Sequence, residues 1–185
     1  NCPLTGESQR KNLRTSLQAA DLLQQIMPTD KSVVKQAIEN VLSNTGFTGR
    51  WQVLRLEPLT ICDVGHNLGG LSQTMKQLDD MSCRQLRIVF GMVKDKDIDH
   101  IIPLLPKKAK YYICQANIER SIDAGELKRK IEEHHLTCCD YTAGNHSVEA
   151  AFRAAQSDAA PDDLVFIGGS CFVVGELLAF LNEGR

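Results

Sequence analysis

The chain has 185 residues, of which 43% are hydrophobic and 24% are charged, and its formal net charge is −2. This composition is typical of one globular domain with room for a smaller additional part. The slight negative charge and the lack of a dense Lys/Arg stripe argue against nucleic acid or an anionic membrane as the main partner. No apolar run approaches the ~20 residues needed to span a bilayer.

The N-terminal part of the chain predicts two amphipathic helices, over 9–26 and 30–43. Leu17 in the first and Val34 in the second belong to apolar sets with helical spacing. Two helices without a strand between them cannot form a core alone. We therefore expect residues 1–46 to be the helical tail of a preceding domain.

From residue 51 onward, strand and helix patterns alternate. Strands are predicted at 52–56, 59–63, 86–91, 111–115, 136–140 and 164–168, and helices near 67–80, 97–104, 122–134, 147–157 and 171–182. This alternation predicts an α/β domain over 47–185, a Rossmann-like three-layer sandwich with a mostly parallel sheet of about six strands. The Gly-x-Gly-x-x-Gly dinucleotide fingerprint follows none of the strands.

The seven cysteines do not have the spacing of a disulfide framework. Several of them lie in or beside predicted strands, where a reduced thiol behaves as a small buried hydrophobe. There is no Cys-x-x-Cys pair, and the five histidines show no ligand spacing with the cysteines. We expect a reduced, cytoplasmic protein without a metal site of its own.

The most informative stretch is the polar turn after the second predicted strand, Asp63-Val64-Gly65-His66-Asn67. In open α/β sheets, ligands bind at the carboxyl ends of strands, beside free N–H groups of the next helix. Asp63 can accept hydrogen bonds from hydroxyls such as those of a ribose, and His66 can meet phosphate or carboxylate charge. Alternatively, Asp63 caps the turn and Asn67 caps the helix, and these roles do not exclude ligand binding.

This turn resembles the Asp-Gly-Ala-His-Asn-Pro motif of the Mur ligase C-terminal domain, most closely that of folylpolyglutamate synthase/dihydrofolate synthase. Val64 and Leu68 depart from the pattern, but the polar side chains are intact. An arginine-containing turn, Gly49-Arg50, precedes it as in the family. Three further stretches agree in order: Gly6-Glu7-Ser8-Gln9-Arg10-Lys11-Asn12, with Ser8 in place of His, Asp95-Lys96-Asp97, and Gly168-Gly169-Ser170 with Gly175-Glu176.

The resemblance implies an ATP site. Arg50 would clamp the adenine, Asn12 would read its edge, and Asp63 would bind the ribose. His66 would be the catalytic candidate, near the γ-phosphate or the incoming glutamate. The alternative interpretation, without the family resemblance, is that Arg50 is an exposed loop arginine and Asn12 a surface residue of a helix. If Asp63 and His66 face the cleft, their replacement changes stability little.

Two further residues are candidates for binding the amino-acid substrate. Ser170 begins a predicted helix after an apolar strand, where an N-cap role is the alternative. Arg120 precedes another predicted helix and can pair with a glutamate carboxylate through two hydrogen bonds. For Arg120 the alternative is an ordinary surface arginine.

The resemblance also implies the reaction and its partners. Enzymes of this type use ATP and Mg²⁺ to join L-glutamate to folate or dihydropteroate, through an acyl phosphate. Their phosphate-binding P-loop lies in an N-terminal ATPase domain, and no Gly-x-x-x-x-Gly-Lys-Ser/Thr occurs in this chain. We therefore expect a C-terminal part of a longer monomeric enzyme, held against its own ATPase domain and inactive alone, with magnesium bound mainly by that domain.

Two other functions remain open. The chain can be a stand-alone Rossmann-like nucleotide-binding or interaction module, in which the Asp63 turn binds a nucleotide or nothing. It can also belong to another Mur-type amino-acid ligase, one that acts on a cell-wall precursor. A P-loop and a folate-type pocket upstream of this chain would favour the folate ligase over both of these alternatives.

Overall fold

The computed structural model describes residues 2–141 and 146–183, which form two compact units with a boundary between Thr48 and Gly49. The described residues of the first unit form three helices, α1 (Glu7–Leu23), α2 (Lys31–Glu39) and α3 (Val41–Thr45). The two predicted helices are confirmed, with the second interrupted at Asn40. Between α1 and α2 lies a largely apolar groove of about 440 Å³.

The second unit is built on a six-stranded sheet with the order β1-β2-β6-β3-β4-β5. The antiparallel hairpin of β1 and β2 forms one edge, and all other neighbouring pairs are parallel. This confirms the predicted mostly parallel sheet. The strands are β1 (Gln52–Leu56), β2 (Leu59–Cys62), β3 (Leu86–Phe90), β4 (Lys110–Ile113), β5 (Thr137–Cys138) and β6 (Leu164–Gly168).

Helices cover both faces of this sheet, because successive residues of the central strands alternate between two hydrophobic clusters. Phe166 of β6 packs in one cluster, whereas its neighbour Ile167 packs in the other. Helices α4 (Leu68–Asp79), α5 (Ile98–Ile101) and α6 (Ala124–Glu133) contribute to the first cluster, and α7 (Val148–Ser157) and α8 (Cys171–Glu183) to the second. The predicted three-layer sandwich is therefore present.

A charged network centred on the buried side chains of Arg87 and Asp163 joins the sheet to the loop before β6. Both oxygens of the Asp163 carboxylate accept hydrogen bonds from Arg84, at 2.9 and 3.1 Å, and Oδ2 also accepts one from Nε of Arg87 at 2.9 Å. Arg87 donates in turn to the hydroxyl of Tyr112, which donates to Asp158. The network lies at the amino ends of β3 and β6, at the opposite end of the strands from the Asp63 turn.

All seven cysteines are free. Burial raises the pKa of the Cys62 thiol to about 12, so this residue is an unreactive part of the core. In the described part of the chain, no helix is long and apolar enough to cross a membrane.

Candidate functional site

In the second unit, the predicted site residues lie at one end of the sheet. Four of them follow the carboxyl ends of strands, and Arg50 directly precedes β1, which is antiparallel to β2. Because β2, β6, β3 and β4 are parallel neighbours, the loops after them are adjacent. Asp63 follows β2, Ser170 follows β6, and Arg120 lies in the loop after β4. The backbone N–H of Asp63 donates to the carbonyl of Ile167, which joins the Asp63 turn to the end of β6.

The Asp63 carboxylate is buried and accepts hydrogen bonds from within the protein. Oδ2 accepts from the backbone N–H of Trp51 at 2.9 Å, and Oδ1 accepts from that of Gly65 at 2.8 Å. The Thr74 hydroxyl of α4 lies 3.5 Å from Oδ1. Only 5% of Asp63 is exposed. Asp63 therefore organises its own turn and also holds the segment that carries Arg50.

Arg50 lies between two residues with left-handed backbone conformations, Gly49 with φ of 78° and Trp51 with φ of 45°. Gly49 is required here, since a Cβ atom would lie 2.9 Å from Cγ1 of Val64. The Trp51 ring is buried, with its centroid 6.3 Å from that of Phe166. Within residues 2–141 and 146–183, no acidic side chain forms an ion pair with Arg50. Its backbone is thus tightly held, while its guanidinium is available for a ligand.

His66 is half-buried, and its Nδ1 lies 3.0 Å from the carbonyl oxygen of Val64. Because a carbonyl can only accept, Nδ1 must carry the proton, which leaves Nε2 of the neutral ring as an acceptor. Asn67 is the N-cap of α4, and its Oδ1 accepts from the N–H of Gly70 at 2.8 Å. The predicted capping role of Asn67 is confirmed.

Ser170 is buried, and its hydroxyl oxygen accepts from the backbone N–H of Phe172 at 3.2 Å. This is the geometry of an N-cap on α8, the alternative that the sequence favours. Gly169 before it has φ of 95°, and a Cβ atom there would lie 2.6 Å from the carbonyl oxygen of Gly91. The backbone between β6 and α8 is therefore closely packed.

We expect Ser170→Ala to lower the free energy of unfolding by about 1 kcal/mol, because an N–H of α8 loses its acceptor. Ser147→Ala is the matched control, since Ser147 caps α7 by accepting from the N–H of Ala150 at 3.2 Å. Urea denaturation measures both losses. If Ser170 also binds glutamate, only Ser170→Ala raises the KM for glutamate in the full-length protein. Equal behaviour of the two variants in both assays would leave Ser170 with a capping role alone.

Arg120 is paired within the protein. Its Nη2 donates to both oxygens of Asp95, at 3.0 and 3.2 Å, and its guanidinium lies 5.8 Å from the centroid of the Phe172 ring. The pair joins the loops after β3 and β4, and the Arg120 side chain is 60% exposed. A glutamate carboxylate would compete with Asp95 for this guanidinium, which weakens Arg120 as a candidate for binding glutamate.

Asn12 lies in the first unit, on an exposed position of α1. Its side-chain amide donates to Oε1 of Gln9 at 3.1 Å. The two polar residues of the predicted Gln-x-x-Asn motif therefore contact each other one helical turn apart.

Sequence reasoning did not identify Trp51, Gln52 or Thr74 as parts of this site. Gln52 accepts a hydrogen bond from Gly49 within the Arg50 turn, whereas Trp51 and Thr74 reach the Asp63 carboxylate from 12 and 11 residues away in the sequence. The only signal available was the position of Trp51 and Gln52 directly after Arg50. As for metals, the described residues contain no group of three or more His, Cys, Asp or Glu side chains arranged to hold an ion.

The fold, with polar side chains at the carboxyl ends of its strands, defines a Rossmann-like domain, and comparison with known proteins identifies the family. Residues 49–171 match the Mur ligase glutamate ligase domain. The chain belongs to this family.

Two curated relatives illustrate this assignment. The chain is 32% identical over 174 residues to a probable bifunctional folylpolyglutamate synthase/dihydropteroate synthase of Haloferax volcanii, covering 94% of this chain and 20% of that protein. It is 28% identical over 174 residues to the dihydrofolate synthase/folylpolyglutamate synthase of Escherichia coli, covering 90% of this chain and 38% of that protein. The chain thus spans well under half the length of these relatives.

The fold of this chain is similar to that of domains in solved structures. Mycobacterium tuberculosis folylpolyglutamate synthase complexed with ADP matches all of this chain and 42% of its own, with a TM-score of 0.77 and 22% identity. A bifunctional folylpolyglutamate synthase/dihydrofolate synthase with Mn, AMPPNP and L-glutamate bound has a TM-score of 0.67 and 27% identity, over 84% of this chain and 36% of that one. The two comparisons confirm the Rossmann-like domain.

Proposed function

We propose that this chain is the C-terminal domain of an ATP-dependent ligase that adds L-glutamate to folate or dihydropteroate. The observation that carries the proposal is that the Arg50 and Asp63 turns are joined at the carboxyl ends of the parallel strands. Asp63 holds the segment that bears Arg50, and no acidic side chain in the part of the chain that the structure describes pairs with this arginine. His66 follows on the same turn, with Nδ1 directed at the carbonyl of Val64 so that Nε2 can act as an acceptor. The related structure with AMPPNP and L-glutamate supports the choice of ligands.

In this proposal, Arg50 and Asp63 bind the nucleoside part of ATP. The guanidinium of Arg50 is planar, so it can stack on the adenine ring. Oδ1 of Asp63 accepts from the N–H of Gly65 and lies 3.5 Å from the Thr74 hydroxyl, whereas Oδ2 accepts only from the N–H of Trp51 among the described residues, which leaves capacity on Oδ2 for a ribose hydroxyl. Asn12 would read the adenine edge with its amide, as the family resemblance implies.

The chemistry requires activation of a carboxylate before the amide forms. A carboxylate oxygen of the acceptor attacks the γ-phosphorus of ATP, which gives an acyl phosphate and ADP. The ammonium group of glutamate first gives up a proton to water, and the resulting amine attacks the acyl carbon, loses a second proton, and displaces phosphate. We assign His66 to the region of the transferred phosphate and the incoming glutamate, where Nε2 can accept a hydrogen bond from the ammonium group. Ser170, with Arg120 as the weaker candidate, would contact the glutamate.

In this proposal, the groups that bind the phosphates and magnesium belong to another domain. We propose that residues 1–46 are the helical tail of the enzyme's own N-terminal ATPase domain, which carries the P-loop. The exposed apolar side chains Leu22, Ile26 and Met27 suit such a tail. Because the described residues offer no cluster of metal ligands, we assign magnesium to that domain and no step to a metal here.

Movement between the domains would complete the site. A hinge near residues 46–50 would let the C-terminal domain close over ATP and bring glutamate to the acyl phosphate, away from water. We propose that the full enzyme is monomeric and cytoplasmic, and that the 185-residue chain alone does not turn over.

The proposal is tested by comparing the full-length protein with the 185-residue chain. We expect the full-length protein to release ADP and phosphate only when ATP, Mg²⁺, L-glutamate and a folate or dihydropteroate acceptor are all present. The isolated chain should show no ligation, and calorimetry should show weak ATP binding at best, because the phosphate cradle is missing. Tight magnesium-dependent binding to the isolated chain, or ligation only with a cell-wall precursor, would contradict the proposal.

A further inference from the structure

The peptide groups on both sides of Arg50 are held by hydrogen bonds within the second unit. The carbonyl of Gly49, which precedes Arg50, accepts from the N–H of Val64 at 2.8 Å. The N–H of Trp51, which follows Arg50, donates to Oδ2 of Asp63 at 2.9 Å. In addition, the N–H of Gly49 donates to the side-chain oxygen of Gln52 at 2.8 Å. The turn is therefore fixed before and after the arginine.

This turn needs such support. Trp51 has a left-handed φ of 45°, a conformation that side-chain-bearing residues rarely adopt. Its ring is anchored in the core beside Phe166 of the central strand β6. A strained backbone persists only where surrounding contacts determine it, and here Gln52 and Asp63 supply two of those contacts.

We propose that Gln52 and Asp63 are positioning residues that hold the Arg50 turn in the conformation that receives ATP. The inference rests on the proposed function, because it concerns how that function's nucleotide is bound. A guanidinium on a preformed turn loses less conformational freedom on binding than one on a mobile loop. Loosening the turn therefore weakens ATP binding without altering the glutamate site or the chemical step.

Gln52 provides the cleaner test, because it has no assigned contact with a ligand. In the full-length enzyme, Gln52→Met removes the acceptor at similar size, whereas Gln52→Glu keeps an acceptor oxygen. We expect Gln52→Met to raise the KM for ATP about three- to tenfold, the effect of one hydrogen bond, with kcat and the KM for glutamate unchanged. Gln52→Glu should stay near the wild-type value.

A matched control comes from the other end of the sheet. Gln85 is also half-buried, and its amide donates to the backbone carbonyls of Lys108 and Leu86, at 2.8 and 3.0 Å. Gln85→Met should leave the KM for ATP unchanged. In an Arg50→Ala background, Gln52→Met should cause no further increase, because the group through which Gln52 acts is absent.

Asp63→Asn separates positioning from direct contact with the ribose. The amide replaces one carboxylate oxygen by a group that cannot accept a hydrogen bond from an N–H. If Asp63 positions Arg50, Asp63→Asn has a higher KM than the wild type with 2′-deoxy-ATP and 3′-deoxy-ATP as well as with ATP. If Asp63 acts only on the ribose, the increase disappears with one of these analogues.

Three results would overturn the inference while the proposed function stands. The first is an unchanged KM for ATP in Gln52→Met. The second is an equal increase in this KM when Gln52→Met is made in the wild type and in Arg50→Ala. The third is an increase in KM for Asp63→Asn that disappears with one of the deoxy analogues. A wild-type enzyme without ATP-dependent glutamate ligation would overturn the proposed function and this inference with it. Melting temperatures of all variants, measured in parallel, identify any that is unfolded at the assay temperature.

Discussion

Replacing Asp163 by Ala should lower the free energy of unfolding by about 3–5 kcal/mol, the largest stability effect that we expect of any single change. The Asp163 side chain is fully buried, and it neutralises Arg87, whose side chain is only 6% exposed. Without the carboxylate, the Arg87 guanidinium remains in the core with an uncompensated charge. Urea denaturation followed by the fluorescence of Trp51, the only tryptophan, measures the loss.

Asp162→Ala is the matched control. Like Asp163, Asp162 pairs with Arg84, and its Oδ1 lies 3.1 Å from Nε of that residue. Because the Asp162 side chain is 66% exposed, its removal should lower the free energy of unfolding by less than about 1 kcal/mol. Comparable losses in the two variants would contradict the claim that burial makes Asp163 important.

The same network predicts a pH dependence. Burial opposes ionisation of Asp163, but the N–H of Ala160 and the guanidinium groups of Arg87 and Arg84 outweigh it and hold its pKa below the ordinary value. A carboxylate with a lowered pKa stabilises the fold fully above the ordinary pKa of about 4, and this contribution is lost as the pH falls further. The wild-type protein should therefore lose more stability on acidification than Asp163→Ala does.

Asp63→Ala should weaken ATP binding by the full-length enzyme by about 1.5–3 kcal/mol, or roughly ten- to a hundredfold. The same change should reduce stability, because the N–H groups of Trp51 and Gly65 lose their acceptor. Unpaired buried donors cost about 1–3 kcal/mol each. Calorimetry with ATP and thermal unfolding of the same variant measure the two effects.

His66→Ala is the comparison variant on the same turn. It should lower kcat more than ATP affinity, because its proposed partners are the transferred phosphate and the attacking glutamate. Its stability should change little, since His66 makes one hydrogen bond at a half-exposed position. For Asp63→Ala, unchanged ATP affinity together with a lowered melting temperature would show that the Asp63 carboxylate has a structural role only.

Much of the fold could be predicted from local patterns. Strand β6 and helix α8 occur almost at their predicted bounds, because a run of apolar residues followed by two glycines and a helical repeat permits few alternatives. The short β5 differs most, since only Thr137–Cys138 pair with β4 at the far edge of the sheet. A strand at an edge depends on one neighbour, and a local pattern contains no information about that neighbour.

The candidate site was predicted less completely. The motif around Asp63 and His66 identified the correct edge of the sheet, because parallel strands bring their carboxyl ends together. It did not predict that Asp63 is buried, and the expectation of unchanged stability for its replacement depended on exposure to a cleft. Likewise, neither the Asp95-Lys96-Asp97 motif nor the position of Arg120 before a helix predicted that Asp95 and Arg120 pair with each other.

By itself, the sequence determined the α/β class, the order of the elements and the residue types available at the ends of the strands. These follow from hydrophobic periodicity and from glycine and capping residues, whose effects extend over a few neighbours. Only the tertiary structure decided which of those polar groups face one another. Asp63 meets Trp51 because β1 and β2 form a hairpin, and the charge on Arg50 stays available because folding brings no carboxylate of the described residues to it. Long-range hydrogen bonding, rather than local preference, therefore determines which side chains stabilise the fold and which are free to bind a ligand.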